Sequence, residues 1–547
     1  MSVLMNNTKR ILSFLLLLVF IQGTRSAPNF TNCLINFRNN ANQTLDSSGL
    51  VDANGANIPN VSSDILNAIG FTYDTCLSQC GEGTEKPTWA NISQQFGAWL
   101  LPYLALISQL PFGARHRVDN LMSAILTVGS PVLAGYSMIL TVLNARWISR
   151  RFENVSFPNT GNAVRILISL QQSPLRITNQ DSLLSSLVVL PENDDWWPTI
   201  AEFLDYTHTC SLTDVNANIY SNGQGTGSVW LWLIPIVIGW LQLSPKCDYA
   251  RPTDYGVVKA SDRLLKCEQC PLIAAFAKPS STDETLTPPV YNYARAISWS
   301  RSAEDVLDAF RMASNNARAH RPVRMGHMWR NASRRNVIEP CNRSGNPSEV
   351  DAYCRLPTYA VRSRWASGMF SRMFVASLLP LALQWATTGA AVLVVYSTPT
   401  VGLGCRSLGY ILYGAMATIV WAMLVMSSIL SHYSSSCSNQ PRNIFSSMHL
   451  ARVLSNLLRW GGKLLAIVNA IWIIAASMLQ FTNIYDNCYC NSSVLGRGVR
   501  DAYFIVITDG LDLGYTKAAW FGALALTCCT SLGFIFFMSL LTDLVPT

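Results

Sequence analysis

The chain has 547 residues, half of them hydrophobic and only 13% charged, against about 25% charged in an average soluble domain. That composition excludes an ordinary soluble domain and points to a membrane protein. Net charge is +8 and there are 15 cysteines, too dilute for a disulfide mini-scaffold, so both are read segment by segment.

Residues 1–26 have the three parts of a secretory signal peptide. Lys9 and Arg10 are the positive start, Ile11 to Ile21 the apolar centre, and Gly23 to Ala27 a small-residue exit. An uncleaved anchor is the alternative, but the apolar centre is shorter than the roughly 20 residues a span needs. Residues 27–95 then form an expected lumenal, glycosylated and poorly structured region. Acceptor triplets begin at Asn29, Asn42, Asn60 and Asn91. Cys33, Cys76 and Cys80 lie in the same stretch, where an oxidising compartment favours pairing. Three is odd, so one needs a partner elsewhere or stays free.

Seven apolar runs follow without Asp, Glu, Lys, Arg or His: 96–112, 121–143, 227–243, 374–396, 408–430, 464–481 and 518–541. Most approach the length that crosses about 30 Å of hydrocarbon. The first and third are short and contain proline, so a re-entrant or interfacial helix is their alternative. The expected fold is therefore an all-α membrane protein with about seven transmembrane helices. Two occupy 96–143, a third 227–243, and four more 374–547.

Orientation follows the Lys and Arg of the loops. A lumenal start places loop 144–226 in the lumen and 244–373 in the cytosol. The second loop holds 20 Lys and Arg against 12 Asp and Glu. Loop 482–517 is lumenal, where Asn491 is another acceptor triplet and Cys488 and Cys490 are candidate disulfide partners of Cys210 or an N-terminal cysteine. One piece conflicts. Loop 144–226 carries the Asn154 triplet, yet starts with Arg146, Arg150 and Arg151 at the membrane edge. Glycans on Asn331 or Asn342 would overturn this layout.

The large cytosolic loop is expected to be partly helical. Ser302 can cap, and Val306, Phe310 and Ala313 share a face. Its 311–335 segment is Arg-rich, offering a partner surface for anionic lipids or a cytosolic protein. The ordinary positive-inside bias explains the same charges.

No catalytic site assembles. Histidines pair at no helical ligand spacing, and HExxH, GxxxxGK[ST], GxGxxG and GxSxG are absent. No cofactor, metal or nucleic-acid partner is expected. Cys267 and Cys270 form a CxxC without a second close pair, so free thiols are the expectation. Within the apolar runs only neutral polarity remains: Gln384, Thr387, Thr388 and Asn469. A track for a neutral solute is one reading; interhelical hydrogen bonding is the favoured one.

Four strings, WLLPYLALISQLPFG at 99–113, GSPVLAGYSMILTVLNARW at 129–147, LQWATTGAAVLVVYSTPTVGLGCRSLGY at 383–410 and YDNCYCNSSVLG at 485–496, resemble a group of uncharacterised multi-spanning membrane proteins of filamentous fungi. The resemblance implies an extracytoplasmic N-terminus and carries no activity or site residues. The function expected is a non-enzymatic sensor or interaction scaffold, with a transporter or channel for a neutral or lipid-like solute as the alternative.

Overall fold

The computed structural model describes residues 29–44, 48–59, 62–84, 89–108, 110, 117–158, 160–172, 227–243, 293–331, 338–343, 345, 347–354, 365–397, 402–435, 442–506 and 514–543. Helices dominate, and the chain folds into a helical bundle with a structured cap at each end.

The first cap begins with α1 (Phe30–Thr44), whose start is capped by the Asn29 side chain accepting from the Asn32 amide at 3.0 Å. Strands β1 (Leu50–Val51) and β2 (Gly70–Thr72) follow, then α2 (Tyr73–Cys80). The sheet is completed by β3 (Tyr503–Ile505), antiparallel to β2 with Phe71 opposite Phe504. Gly70 is required there, because a side chain would overlap the Phe504 carbonyl. Phe30, Leu34, Phe71 and Cys76 from the N-terminal stretch share one core with Cys488 and Phe504. Disulfide Cys76–Cys488 locks the two together, and Cys405–Cys490 ties them to the bundle. The N-terminal region is thus folded, correcting the expectation of poor structure. Its third strand and three of its eleven buried core residues arrive more than 400 residues later, out of reach of a local reading.

Helices α3 (Arg117–Gly129) and α4 (Pro131–Phe152) meet at Ser130 with a bend of 103°. Next come α5 (Thr160–Gln172), α6 (Leu233–Leu243) and α7 (Ala296–Arg318). The final bundle comprises α8 (Met369–Ser397), α9 (Cys405–Ser435), α10 (Arg442–Phe481) and α11 (Gly514–Asp543). Among the described residues these last four are long and apolar enough to cross a membrane, and the bent α3–α4 pair makes up to five. The other expected runs do not form single helices of that length there. The 121–143 run breaks in its middle, 227–243 forms a short helix, and 96–112 becomes a π-helical turn (Phe96–Leu100) followed by the short helix Leu101–Ile107. Outward-facing Leu457, Trp460, Leu464, Phe521, Leu532 and Phe536 give α10 and α11 apolar outer surfaces. Trp230, Leu233, Trp240 and Leu243 around α6 are instead buried within the protein.

Helix α7 forms the core of the second cap. It starts at Ala296, six residues before the expected cap Ser302, and buries Val306, Phe310 and Ala313 as its pattern requires. Phe310 meets the rings of Phe152 and Phe157, 5.5 and 6.1 Å away, and Trp299 donates to the Leu167 carbonyl at 2.7 Å. The stretches 152–172 and 296–318 therefore lie on one face of the bundle.

Candidate functional site: polar clamps at both ends of the bundle

At the cap face, α9 opens with Cys405 in its disulfide and Arg406 immediately after. Arg406 is 7% exposed, pairs with Asp486 and donates to the Asn491 side chain at 3.1 Å. Asn487 accepts from the Cys490 amide at 2.8 Å, which caps the short helix holding Cys488, Cys490 and Asn491. Gly404 sits where a Cβ would press on the Cys490 carbonyl, so the connection into α9 packs backbone on backbone. Burial pushes the neighbouring Tyr485 phenol above its ordinary range, and the Arg406 charge draws it part of the way back.

At the opposite face a second clamp joins α4, α7 and α8. Glu304 accepts from the Ser367 amide at 2.8 Å and lies 3.7 Å from Arg151 and 3.9 Å from Arg301. Arg151 also donates to the Ser367 hydroxyl at 2.6 Å. Arg372 donates to the Ser367 carbonyl at 3.1 Å while its guanidinium lies over the Trp147 ring at 4.1 Å. Trp147 meets Trp299 edge-on, and His432 near the end of α9 packs tilted against Trp365 at 5.1 Å. Helix α9 thus carries Arg406 of the first clamp near one end and, near the other, His432 against the Trp365 that leads into the second. Between Arg406 and His432 it rises roughly 40 Å at about 1.5 Å per residue.

Midway, the α3–α4 break meets α9 and α10. Tyr413 donates its hydroxyl to the Val128 carbonyl at 2.8 Å, and Asn469 donates to Gly129 at 2.8 Å and to Tyr413 at 3.1 Å. Ser130 donates to the Ala417 carbonyl at 2.9 Å. A helix ended inside a bundle leaves carbonyls without intrahelical partners, and these side chains satisfy them. A Cβ on Gly129 would overlap the Ala466 carbonyl, so the break is close-packed.

The sequence-derived polar residues divide accordingly. Asn469 serves the break, and Gln384 donates to the Gly414 carbonyl at 2.9 Å. Thr387 bonds back to its own helix. The Thr388 hydroxyl, Gln384 Oε1 and Asn469 Oδ1 are buried and meet no protein partner among the described residues. A second polar set escaped the sequence reading. Ser137, Thr141 and Asn144 recur at i, i+4 and i+7 on one face of α4, fully buried, and Gln171 donates from α5 to the Thr141 carbonyl at 3.1 Å. Both amide atoms of Asn144, the Ser137 hydroxyl and Gln171 Oε1 have no partner among the described residues. The signal was present as polar spacing inside an apolar run.

Of the expected disulfide cysteines, Cys76, Cys488 and Cys490 are bridged, while Cys33 and Cys80 are thiols. Cys405 was missed, although it lies in the short connection leading into α9. Cys210, Cys267 and Cys270 lie outside the described residues. Cys528 and Cys529 face outward from α11 rather than packing inside it. Among acceptor triplets, Asn29, Asn42 and Asn154 are exposed, Asn60 lies outside the described residues, and Asn91 falls in the helix Trp89–Gln95. Asn491 is 3% exposed and engaged by Arg406. Along the Arg-rich 311–335 segment, Arg321 and Arg324 are exposed beside Met325 and Met328, themselves 75% and 91% exposed. Arg334 and Arg335 lie outside the described residues.

No family model matches the chain, and neither the curated proteins nor the solved structures contain a significant match.

The cap-face clamp makes a direct prediction. Asp486→Asn leaves Arg406 buried with its charge uncompensated, which costs about 3 kcal/mol or more. Thermal unfolding in detergent should show a clear loss for this variant and little change for the exposed Asp501→Asn control. Equal midpoints would mean that the pair contributes nothing.

Proposed function

We propose that this chain is a non-enzymatic membrane sensor or interaction scaffold, whose bundle mechanically joins an exoplasmic cap to a cytosolic one. The observation carrying this reading is α9, with Arg406 of the first clamp near one end and His432 against Trp365 near the other. A perturbation at Arg406 acts on the same rigid helix that packs His432 against Trp365. Close packing around Gln384 and Asn469 favours a connecting bundle over an open path.

Charge and cysteine chemistry support the assignment of sides. Disulfides favour an oxidising compartment for the cap face. Arg146, Arg150 and Arg151 then join the Arg-rich 293–372 region on the cytosolic side, and the positive-inside conflict disappears. On this reading the chain crosses an odd number of times between Cys80 and Phe152, and an even number between Gln172 and Tyr293. Five crossings is the smallest count that fits, with α3–α4 one broken span, α8 to α11 the rest, and α6 re-entrant. The exposed loop bearing Arg321, Arg324, Met325 and Met328 becomes the cytosolic interaction surface.

Glycan mapping in cells checks the sides. Asn29 or Asn42 should be modified, and Asn154 and Asn331 should be bare. Sugar on Asn154 would place α5 and α7 outside and end this topology.

Coupling itself is tested by hydrogen exchange on the Arg406→Lys variant, which keeps the charge and loses the planar fork. Residues 296–318 and 365–372 should exchange about 5-fold faster or more, the low end of a coupling free energy. A change confined to the exoplasmic cap would sink the sensor reading.

A second reading, passage of a small neutral solute, is favoured by the orphaned amide of Asn144 beside Ser137 and Gln171. Unpaired polar groups away from water are costly and call for a hydrogen-bonding occupant. It requires that proteoliposomes swell in glycerol faster than empty vesicles and that Asn144→Leu abolish the difference. Indistinguishable swelling would leave the scaffold reading alone.

A further inference from the structure

Two thiols in the disulfide-bearing cap stand against each other. Cys33 lies in the first turn of α1 and Cys80 is the last residue of α2. The Cys33 thiol donates to the carbonyl of Gln79, the residue before Cys80, at 3.9 Å. Both are partly buried. On α2, Cys76 and Cys80 are four residues apart and so lie on the same side of the helix, one turn from each other. The first is already bridged to Cys488.

Around this contact the helices are held in register. Phe30 packs edge-on against Phe504 at 4.9 Å, and Arg38 donates to the Leu66 carbonyl at 3.1 Å. Leu34 and Ala41 fill the core that Cys76 and Cys488 share. Neither cysteine is a stray surface thiol. They meet where α1, the first described element, crosses the end of α2.

We propose that Cys33 and Cys80 are a redox pair that closes as a third disulfide of the cap, fastening α1 to α2. The oxidant is an external disulfide, of the class carried by oxidised thiol–disulfide oxidoreductases or by glutathione disulfide. One cysteine thiolate attacks it, forming a mixed disulfide and expelling one external thiolate. The other cysteine, losing its proton, attacks the sulfur now in the mixed disulfide and expels the second external thiolate. Two electrons and two protons pass from the cysteine pair to the external disulfide, which leaves as two thiols. Burial pushes the Cys80 thiol well above its ordinary range, and the neighbouring Cys33 adds to the rise. The reduced pair leaves α1 held by noncovalent contacts alone. Its closure is therefore a switch on how firmly α1 is held, separate from the two bridges that hold the cap to the bundle.

This inference rests on the exoplasmic reading of the cap, and Cys76–Cys488 in the same digest is the internal reference for that reading. Full-length protein is purified from membranes under alkylating, non-reducing conditions and its peptides are mapped by mass spectrometry. The expected result is a Cys33–Cys80 linked peptide beside Cys76–Cys488 and Cys405–Cys490. Cys33→Ser should make Cys80 reactive to maleimide, and Cys80→Ser should do the same for Cys33, with the other two bridges intact. Both thiols alkylated in the wild type while Cys76–Cys488 is closed would overturn the pair and leave the exoplasmic reading standing. Cys33, Cys80, Cys76 and Cys488 all alkylated would overturn both. A linkage of Cys33 to any other cysteine would overturn the pair.

Discussion

The freed carbonyls at the α3–α4 break are the constraint on which the rest of the bundle depends. A helix that stops inside hydrocarbon exposes backbone groups that no water can reach. Val128 and Gly129 are satisfied by Tyr413 of α9 and Asn469 of α10, and Ser130 returns a bond to α9. Three helices are thereby fixed in depth and rotation relative to one another. Pro131 suits the restart, because the first position of a helix has no intrahelical use for an amide hydrogen. The Gly129–Ala466 approach then permits no side chain at the junction. Everything built on α4, including the Trp147 platform for Arg372, inherits its position from this point.

From that anchor the two ends are finished in different chemistry. The cap face uses covalent bridges and one buried ion pair. The arginine face uses a shared acidic group, Glu304, with an edge-to-face contact of Trp147 and Trp299 and Arg372 over the Trp147 ring. Glu304 is the centre there because a carboxylate accepts several bonds at once, which lets α4, α7 and the entry to α8 converge on one side chain.

How much of this was legible depended on the range of the interaction. The helices at 374–396, 408–430, 464–481 and 518–541 were readable because crossing hydrocarbon demands unbroken apolar length, which is a local property. Asn469 and Gln384 were readable as interhelical glue, but their targets are backbone carbonyls, and no residue type marks a carbonyl in advance. The Gly129-Ser130-Pro131 string announced a stop and restart, yet its flanks are so apolar that the run counts as one span. The cap was the least legible part. The core around Leu50, Phe71 and Cys76 is complete only when Cys488, Phe504 and Val506 arrive, and no pattern in either stretch names the other.

That last separation reaches into biosynthesis. Cys76 and Cys488 are 412 residues apart. A chain made from its N-terminus presents Cys76, two strands of a three-stranded sheet and most of a core long before their partners exist. Each intervening helix must be threaded before residues 482–506 can reach them. Until then Phe71 lacks the Phe504 ring and one sheet edge has no neighbour, a combination that invites mispairing. Completion of the cap therefore reports that the chain before it has been inserted correctly. An unfinished or misthreaded copy keeps an open thiol and bare apolar surface by which it can be told from a finished one.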